Sequence, residues 1–355
     1  MATVDGGTYY NHEILRDWAR EVFIRVGVRQ EDAGSLTDSL IAANLRGVDT
    51  HGLTRMLTIY VKRIQAGVVS VDTRFDVLRE RPSTALIDCH NSLGQLGARY
   101  AMQMAIDKAR TTGTAYVGIT GSNHYGAAAL WAMMALEHGM IGFTCVNGPA
   151  TVAPTGGRTP MFGTNPFAIA IPTGTDMPFV LDMATTVVAR GRVALFEKQG
   201  KPLEPGWAFD GRGLPTTDAS AAMKGLLAPV GGYKGYGISF AIDILSGMMT
   251  GSSHGTGFPG MLADNLVDPW NVGGIFAAIS IDSFMDLEDF TARLRKACGE
   301  VRNSDRADGV ERIYIPGEIE YNTTVDRKKT GIPLPPEVVR DFVALGEEVG
   351  MPFPK

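Results

Sequence analysis

The stretch Gly47-Val48-Asp49-Thr50-His51-Gly52-Leu53-Thr54-Arg55 sets an imidazole and a guanidinium four residues apart in a short polar segment. Leu36, Ser39, Leu40, Ala43 and Leu45 recur at helical spacing ahead of it, and Gly47 can end that helix. Behind it, Arg55, Met56, Ile59, Tyr60 and Ile64 predict a second helix. If His51 and Arg55 share the first turn of that second helix, their side chains point the same way. His51 titrates near neutrality and can carry a proton, while Arg55 offers a planar fork of donors that fits a carboxylate. Such a pair suits a 2-hydroxy or 2-oxo acid. The plainer alternative is a helix-capping or partly buried histidine beside a surface arginine.

The elements that would position this pair follow from periodicity. Residues 12–66 read as helical, with Ile14, Leu15, Trp18, Ala19, Val22 and Phe23 at helix spacing. Short β-like runs (75–78 and 84–88) precede an Ala- and Met-rich helix over 95–110. From 115 to 172, strands at 116–119, 141–146 and 167–171 alternate with Gly- and Pro-rich turns and an Ala-rich helix at 127–137. A strand at 178–182 feeds a helix over 184–199, a strand spans 274–281, and helices cover 287–300 and 335–349, the last able to pack on the N-terminal helices. Long loops over 201–219 and 252–274 have the length of functional loops.

A chain of 355 residues implies two or more lobes. Apolar residues at 45% and charged residues at 20% fit a folded enzyme and exclude disordered and fibrous classes. A net charge of -5 with scattered Lys and Arg gives no nucleic-acid surface. Cys89, Cys145 and Cys298 lie far apart, which favours free thiols in a reducing compartment, and the absence of an export signal or membrane span predicts a cytoplasmic protein. His12, His51, His90, His124, His138 and His254 show no ligand spacing, so no metal is expected. Gly255-Thr256-Gly257-Phe258-Pro259-Gly260 has the letters of a dinucleotide fingerprint, but no strand precedes it and Pro259 opposes the helix that should follow; it reads as a loop.

What remains is a set of polar turns. Gly121-Ser122-Asn123-His124-Tyr125-Gly126 lies between a strand and a helix, where backbone N–H groups can hold a phosphate or simply form a capped turn. In Gly163-Thr164-Asn165-Pro166 the proline biases Asn165 toward an extended backbone. Leu181-Asp182-Met183-Ala184-Thr185-Thr186 sets an acid at a strand end and helix start, where capping is the alternative to chemistry. Together with Pro205-Gly206-Trp207-Ala208 and Asp210, Gly231-Gly232-Tyr233-Lys234-Gly235-Tyr236-Gly237, Asp243-Ile244-Leu245-Ser246-Gly247 and Ile315-Pro316-Gly317-Glu318, these stretches follow one another over nearly the whole chain. In that order the chain resembles the type-2 malate/L-lactate dehydrogenase family, which also holds sulfolactate, ureidoglycolate and 2,3-diketogulonate enzymes and cyclic-imine (piperideine-2-carboxylate) reductases.

The resemblance implies an α/β (α+β) fold that binds NAD or NADP without a Rossmann unit, on a mixed, largely antiparallel sheet flanked by helices. It implies a helical substrate domain from residues 1–80 joined by 306–355, a cofactor-binding domain over 81–305, and a homodimer. His51 is similar to the family's proton carrier and Arg55 to its carboxylate anchor, with Thr50 and Asn165 also at the substrate and His124 and Asp182 as further catalytic candidates. Ser122, His124, Tyr125, Gly126, Thr164, Asn165, Asp182, Met183, Ala184, Lys234, Gly235, Gly317 and Glu318 are the implied cofactor contacts. Oxidation needs a base for the hydroxyl proton as hydride leaves the same carbon, and reduction needs an acid there, which one histidine can serve. Thr50 stands where many relatives have serine, which favours a hydroxy acid over a cyclic imine, and Tyr60 falls one position later than the family's spacing. Arg158, Arg190 and Arg192 are the candidates for a cofactor 2′-phosphate. A cyclic-imine reductase, a ureidoglycolate-type enzyme and a catalytically silent binding homologue are the alternatives.

Overall fold

Asn11 starts the first long helix by accepting the N–H groups of Glu13 and Ile14 at 2.7 and 3.2 Å, and the apolar stripe behind it turns Leu15, Trp18, Ala19, Val22 and Phe23 inward. The computed structural model describes residues 7–261 and 265–354. The chain opens with β1 (Thr8–Tyr10), α1 (His12–Arg25), α2 (Gln30–Leu45) and α3 (Leu53–Gln65). It continues through β2 (Asp76–Arg81), β3 (Thr84–Asp88), α4 (Gly94–Thr112), β4 (Thr114–Ser122), α5 (Ala128–Met133), β5 (Met140–Val146), β6 (Phe167–Ile171) and β7 (Phe179–Met183). Then come α6 (Arg190–Gln199), β8 (Ala208–Phe209), β9 (Pro215–Thr216), α7 (Ala219–Met223), β10 (Leu226–Leu227) and α8 (Tyr233–Asp243). The last elements are β11 (Val272–Ser280), α9 (Leu287–Arg302), α10 (Glu318–Thr330), β12 (Ile332–Leu334) and α11 (Pro336–Glu348).

Seven strands form a mixed sheet in the order β2-β3-β4-β11-β5-β6-β7, in which only the β3–β4 pair is parallel. The late strand β11 lies at its centre, between β4 and β5. Its alternating side chains feed both faces: Phe276 and Ala278 pack under α4 and α5, while Ile275 meets Cys145 and Ile242 of α8 on the other side. Gly273 has no room for a side chain, because a Cβ there would collide with Ser246 O. A separate core joins α1, α2 and α3 to Ile332, Leu334, Phe342 and Leu345, and β1 pairs antiparallel with β12. The C-terminal helix therefore does pack on the N-terminal ones.

Several elements differ from expectation. The helix expected over 184–199 begins only at Arg190, since Thr185 donates its N–H and hydroxyl to Thr164 O (2.8 and 2.9 Å) and Val187 N–H goes to Ala228 O (2.9 Å). The Ala-rich helix at 127–137 divides into α5 and a 3₁₀ segment, Met134–His138. The stretch expected as a long loop over 201–219 carries β8 and β9, which form a small sheet with β10 and bury Leu203, Ala208 and Ala219 in a third apolar cluster. Helix α10 was not expected: of its side chains only Glu318 is buried, so no apolar period announces it. Gly255–Gly257 is a single 3₁₀ turn within the 252–274 loop, of which 262–264 lie outside the described residues. All three cysteines are free and buried, and among the described residues no helix is long and apolar enough to cross a membrane.

The tail should matter to the N-terminal core. Phe342 is 1% exposed, with its ring centroid 5.2 Å from Trp18 and 5.5 Å from Phe353. Phe342→Ala should cost about 3–5 kcal/mol, read as a fall in chemical-denaturation midpoint; an unchanged midpoint would refute a shared core.

Candidate active site

The joint between α2 and α3 is tighter than expected. Gly47 adopts φ +77°, and Asp49–His51 form a 3₁₀ turn that ends at Gly52, the N-cap of α3. His51 thus stands on the turn before α3 rather than in its first turn, because Asp49 O is already taken by Gly52 N–H at 3.3 Å and by Thr54 Oγ1 at 2.8 Å. Thr50 Oγ1 lies 3.0 Å from His51 Nδ1. Arg55 is exposed, forms no ion pair among the described residues, and its guanidinium runs over Gly191 so closely that a Cβ there would collide with Nη1.

The second histidine arrives from the end of β4. Asn123 anchors its loop, donating to Asn91 O (3.1 Å), Asn91 Oδ1 (2.9 Å) and Ser92 O (2.9 Å), and Tyr125 turns into the core. His124 between them faces the cleft, with its ring centroid 5.5 Å from that of His51 and the planes 19° apart. Its Nδ1 receives Gly126 N–H at 3.3 Å and lies 2.7 Å from Tyr60 Oη. A backbone N–H can only donate, so Nδ1 must carry a lone pair; Tyr60 donates as well, and the ring proton resides on Nε2. Each imidazole keeps an open edge while chain surrounds the rest. That enclosure lowers the pKa of His51 to about 4, with the charge of Arg55 adding to the effect. His124 falls to about 3 through enclosure first and then through His51, Arg55 and Arg63. Burial raises Tyr60 far above the ordinary phenol range, which keeps it a donor.

Not every expected residue joins this cleft. Asp182 reaches neither histidine: its Oδ2 accepts Ala129 N–H at 3.0 Å in the first turn of α5, a capping role, and its pKa is raised by the chain packed around an otherwise accessible carboxylate. Asn165 is not extended; it takes φ +32°, which asparagine tolerates. Its buried amide is spent on backbone, accepting Gly148 N–H at 3.2 Å and donating to Ser239 O at 2.8 Å, so the side chain braces the 163–166 turn instead of meeting substrate. Tyr125, 2% exposed, likewise presents core rather than a ligand surface. Glu318 is buried and committed to Arg302 (3.0 Å), Arg312 and Ile315 N–H (3.2 Å). Burial pushes its pKa up, but these three partners outweigh it and hold the carboxylate below its usual range. Gly317, at φ +89°, packs on Val180.

The remaining residues suit a nicotinamide cofactor. Lys234 is exposed in the first turn of α8 after Gly231 and Gly232 (φ +61° and +65°), a cation beside free helix N–H groups that matches a pyrophosphate. Gly235 packs tightly on Val230 backbone, and half-buried Met183 and Ala184 lie at the end of β7 beside the Thr164–Thr185 tie, whereas Ser122 is fully buried with its hydroxyl beside the Cys89 thiol. Of the three candidate arginines, Arg190 is tied to Met223 O at 2.8 Å and Arg192 lies over the Trp207 ring at 5.3 Å, which leaves Arg158 open. Arg158 borders a cavity of about 570 Å³ with Phe209, Arg212 and Tyr233. That cavity carries no histidine or carboxylate in its walls, and His51 and His124 lie outside it. Sequence reading missed Tyr60 as a partner of His124; its hydroxyl on the buried stripe of Met56, Leu57 and Ile64 was the available signal.

A mixed sheet without a dinucleotide helix among the described residues, beside a helical layer that sets His51 against His124 with Arg55 exposed nearby, is an arrangement suited to an enzyme that moves a proton next to a carboxylate. The family model described as malate/L-lactate dehydrogenase matches residues 10–343, and the chain belongs to that family. It is similar to a malate dehydrogenase of Pyrococcus abyssi, 39% identical over 93% of this chain and 92% of that one. An L-sulfolactate dehydrogenase of Methanothermobacter thermautotrophicus is 35% identical over 93% and 94%. The solved malate dehydrogenase of Pyrococcus horikoshii superposes with a TM-score of 0.91 at 36% identity, covering 100% of this chain and 99% of that chain. The protein is accordingly a nicotinamide-dependent oxidoreductase of hydroxy acids.

Tyr60→Phe keeps the packing and removes one donor to His124. We expect kcat to fall about tenfold, equivalent to about 1.4 kcal/mol, with cofactor affinity unchanged; a folded variant with wild-type kcat would show that this hydrogen bond plays no part.

Proposed function

We propose that the two-histidine cleft interconverts a small 2-hydroxy acid and its 2-oxo acid, with malate or lactate as substrate, and that His51 carries the proton. The observation that carries this reading is the pairing of a neutral His51 with the unpaired guanidinium of Arg55, one to take the hydroxyl proton and the other to grip the carboxylate. With Nδ1–H donating to Thr50 Oγ1, His51 Nε2 is free to accept the proton in oxidation and return it in reduction. His124, its proton held on Nε2, donates a hydrogen bond to the same substrate oxygen and strengthens it as negative charge develops there. NAD or NADP, when bound, supplies the hydride acceptor or donor, and Lys234, Gly235, Met183 and Ala184 are the residues that would hold it.

The test follows nicotinamide absorbance with NADH and NADPH against oxaloacetate, pyruvate, sulfopyruvate and piperideine-2-carboxylate. Turnover of an open-chain 2-oxo acid, reduced about 10²–10⁴-fold in His51→Ala, is the expected result; turnover of the imine alone would assign the chain to a reductase instead. The pH dependence has a definite sign. The base is the neutral imidazole, present above its pKa and lost below it, so kcat/KM for oxidation should hold level through neutrality and fall only near pH 4. An acid limb near the ordinary histidine value of about 6.5 would contradict an enclosed His51.

We also propose that the enzyme works as a cytoplasmic homodimer, with residues 81–305 as its cofactor domain and the end of α8 with the segment after it, 238–249, at the interface. What supports pairing is the outward apolar run of Ile238, Phe240, Ile244, Leu245, Met248 and Met249, each between 37% and 60% exposed. Sedimentation should give twice the 38.0 kDa chain mass, and Ile244→Glu with Met249→Glu should give a monomer; a wild-type monomer would refute the proposal.

A further inference from the structure

Arg327 belongs to none of the sequence motifs, yet it grips the turn on which His51 stands. It lies in the last turn of α10, and its guanidinium meets the Asp49 carboxylate with both prongs, Nη1–Oδ1 at 2.7 Å and Nη2–Oδ2 at 3.0 Å. Nη1 also donates to Asn44 O, a carbonyl in the last turn of α2. Fully buried Asn44 adds Nδ2 to Asp49 Oδ1 at 2.6 Å and to Thr54 Oγ1 at 3.1 Å. One turn earlier on α10, Thr323 packs against Gly47, where a Cβ would come within 3.1 Å of its methyl group. Two side chains of α10 thus close over the joint between α2 and α3.

Apart from the Thr54 hydroxyl on Asp49 O at 2.8 Å, the turn is tied down mainly at the Asp49 side chain. Its own backbone bonds are His51 N–H to Val48 O at 3.0 Å and Gly52 N–H to Asp49 O at 3.3 Å, so the tilt of the turn follows whatever holds Asp49. Arg327 and Asp49 are 15% and 34% exposed, more enclosed than a freely screened surface pair, and the two-pronged geometry fixes orientation as well as distance. Resting on the reading of His51 as the proton carrier, we infer that Arg327 is a positioning residue that acts through Asp49 to aim the His51 imidazole at the substrate.

The experiment uses the full chain and the 2-oxo acid turned over fastest. In Arg327→Gln, kcat should fall about 10–100-fold, the scale of a misplacement near 1 Å, while NADH affinity by fluorescence stays within about twofold. Arg327→Lys should recover little of the loss, because an ammonium cannot span both carboxylate oxygens and the Asn44 carbonyl. In a His51→Ala background, Arg327→Gln should add no further loss. Wild-type kcat in folded Arg327→Gln, or an equal loss with and without His51, would overturn the inference. If Arg327→Gln does not fold, Asp49→Asn carries the same two outcomes with nearly the same shape. Full activity in His51→Ala would sink both this inference and the proposed role of His51, whereas a dead His51→Ala beside an unaffected Arg327→Gln sinks the inference alone.

Discussion

Two imidazoles and two guanidiniums crowd one region, and none of the four has a carboxylate beside it among the described residues. Charge of one sign without a counter-charge is costly in an enclosed site, and only the imidazoles can shed theirs. They are therefore neutral, and their remaining properties follow from that: one lone pair ready for a proton, one N–H ready to donate. On the proposed function, the missing negative charge is the substrate's to bring: a carboxylate placed against Arg55 would make recognition and electrostatic relief the same event.

The helix that presents Arg55, directly after the His51 turn, is also part of the core. Leu53, Met56, Leu57, Tyr60, Val61 and Ile64 of α3 are buried against α1, α2 and the C-terminal helix, while Arg55 leaves the same helix on its open side. Tyr60 belongs to both sets: it packs with the core and ends in a hydroxyl that reaches His124 across from the sheet domain. One side chain thus couples the packing of the helical core to the tautomer of a histidine carried by β4. Substitutions in that core would alter the site without touching a ligand, since a rigid interior transmits displacement.

Where local pattern governs, the chain was legible. Strands at 84–88 and 167–171 fall where alternating and β-branched residues put them, and the helix over 94–112 follows its apolar period. The Gly47–Arg55 motif located the main histidine and arginine, though not the 3₁₀ turn, because that turn depends on Asn44, Thr54 and Arg327 competing for Asp49. Non-local demands account for the other misses. Asn165 takes a left-handed backbone since its amide finds Gly148 and Ser239, 17 and 74 residues away. Residues 184–189 lose their helix to hydrogen bonds with two distant loops, and α10 has a polar sequence whose value lies in the few contacts of Thr323 and Arg327. Glu318 shows the limit of motif transfer: a motif can keep its acid while three partners consume the carboxylate.

The placement of β11 and α10 has a consequence for the order of events during synthesis. The sheet's centre, the pairing of β1 with β12 and the clasp between Asp49 and Arg327, 278 residues apart, all wait for late parts of the chain. Until these emerge, β4 and β5 have no strand between them, and α1 to α3 hold apolar surface with nothing to cover it. Contacts of such long range are slow to form and leave partly folded chains prone to association. The histidine turn is among the first segments made and among the last to be set, so a nascent chain has no working site until its sheet and both ends have closed.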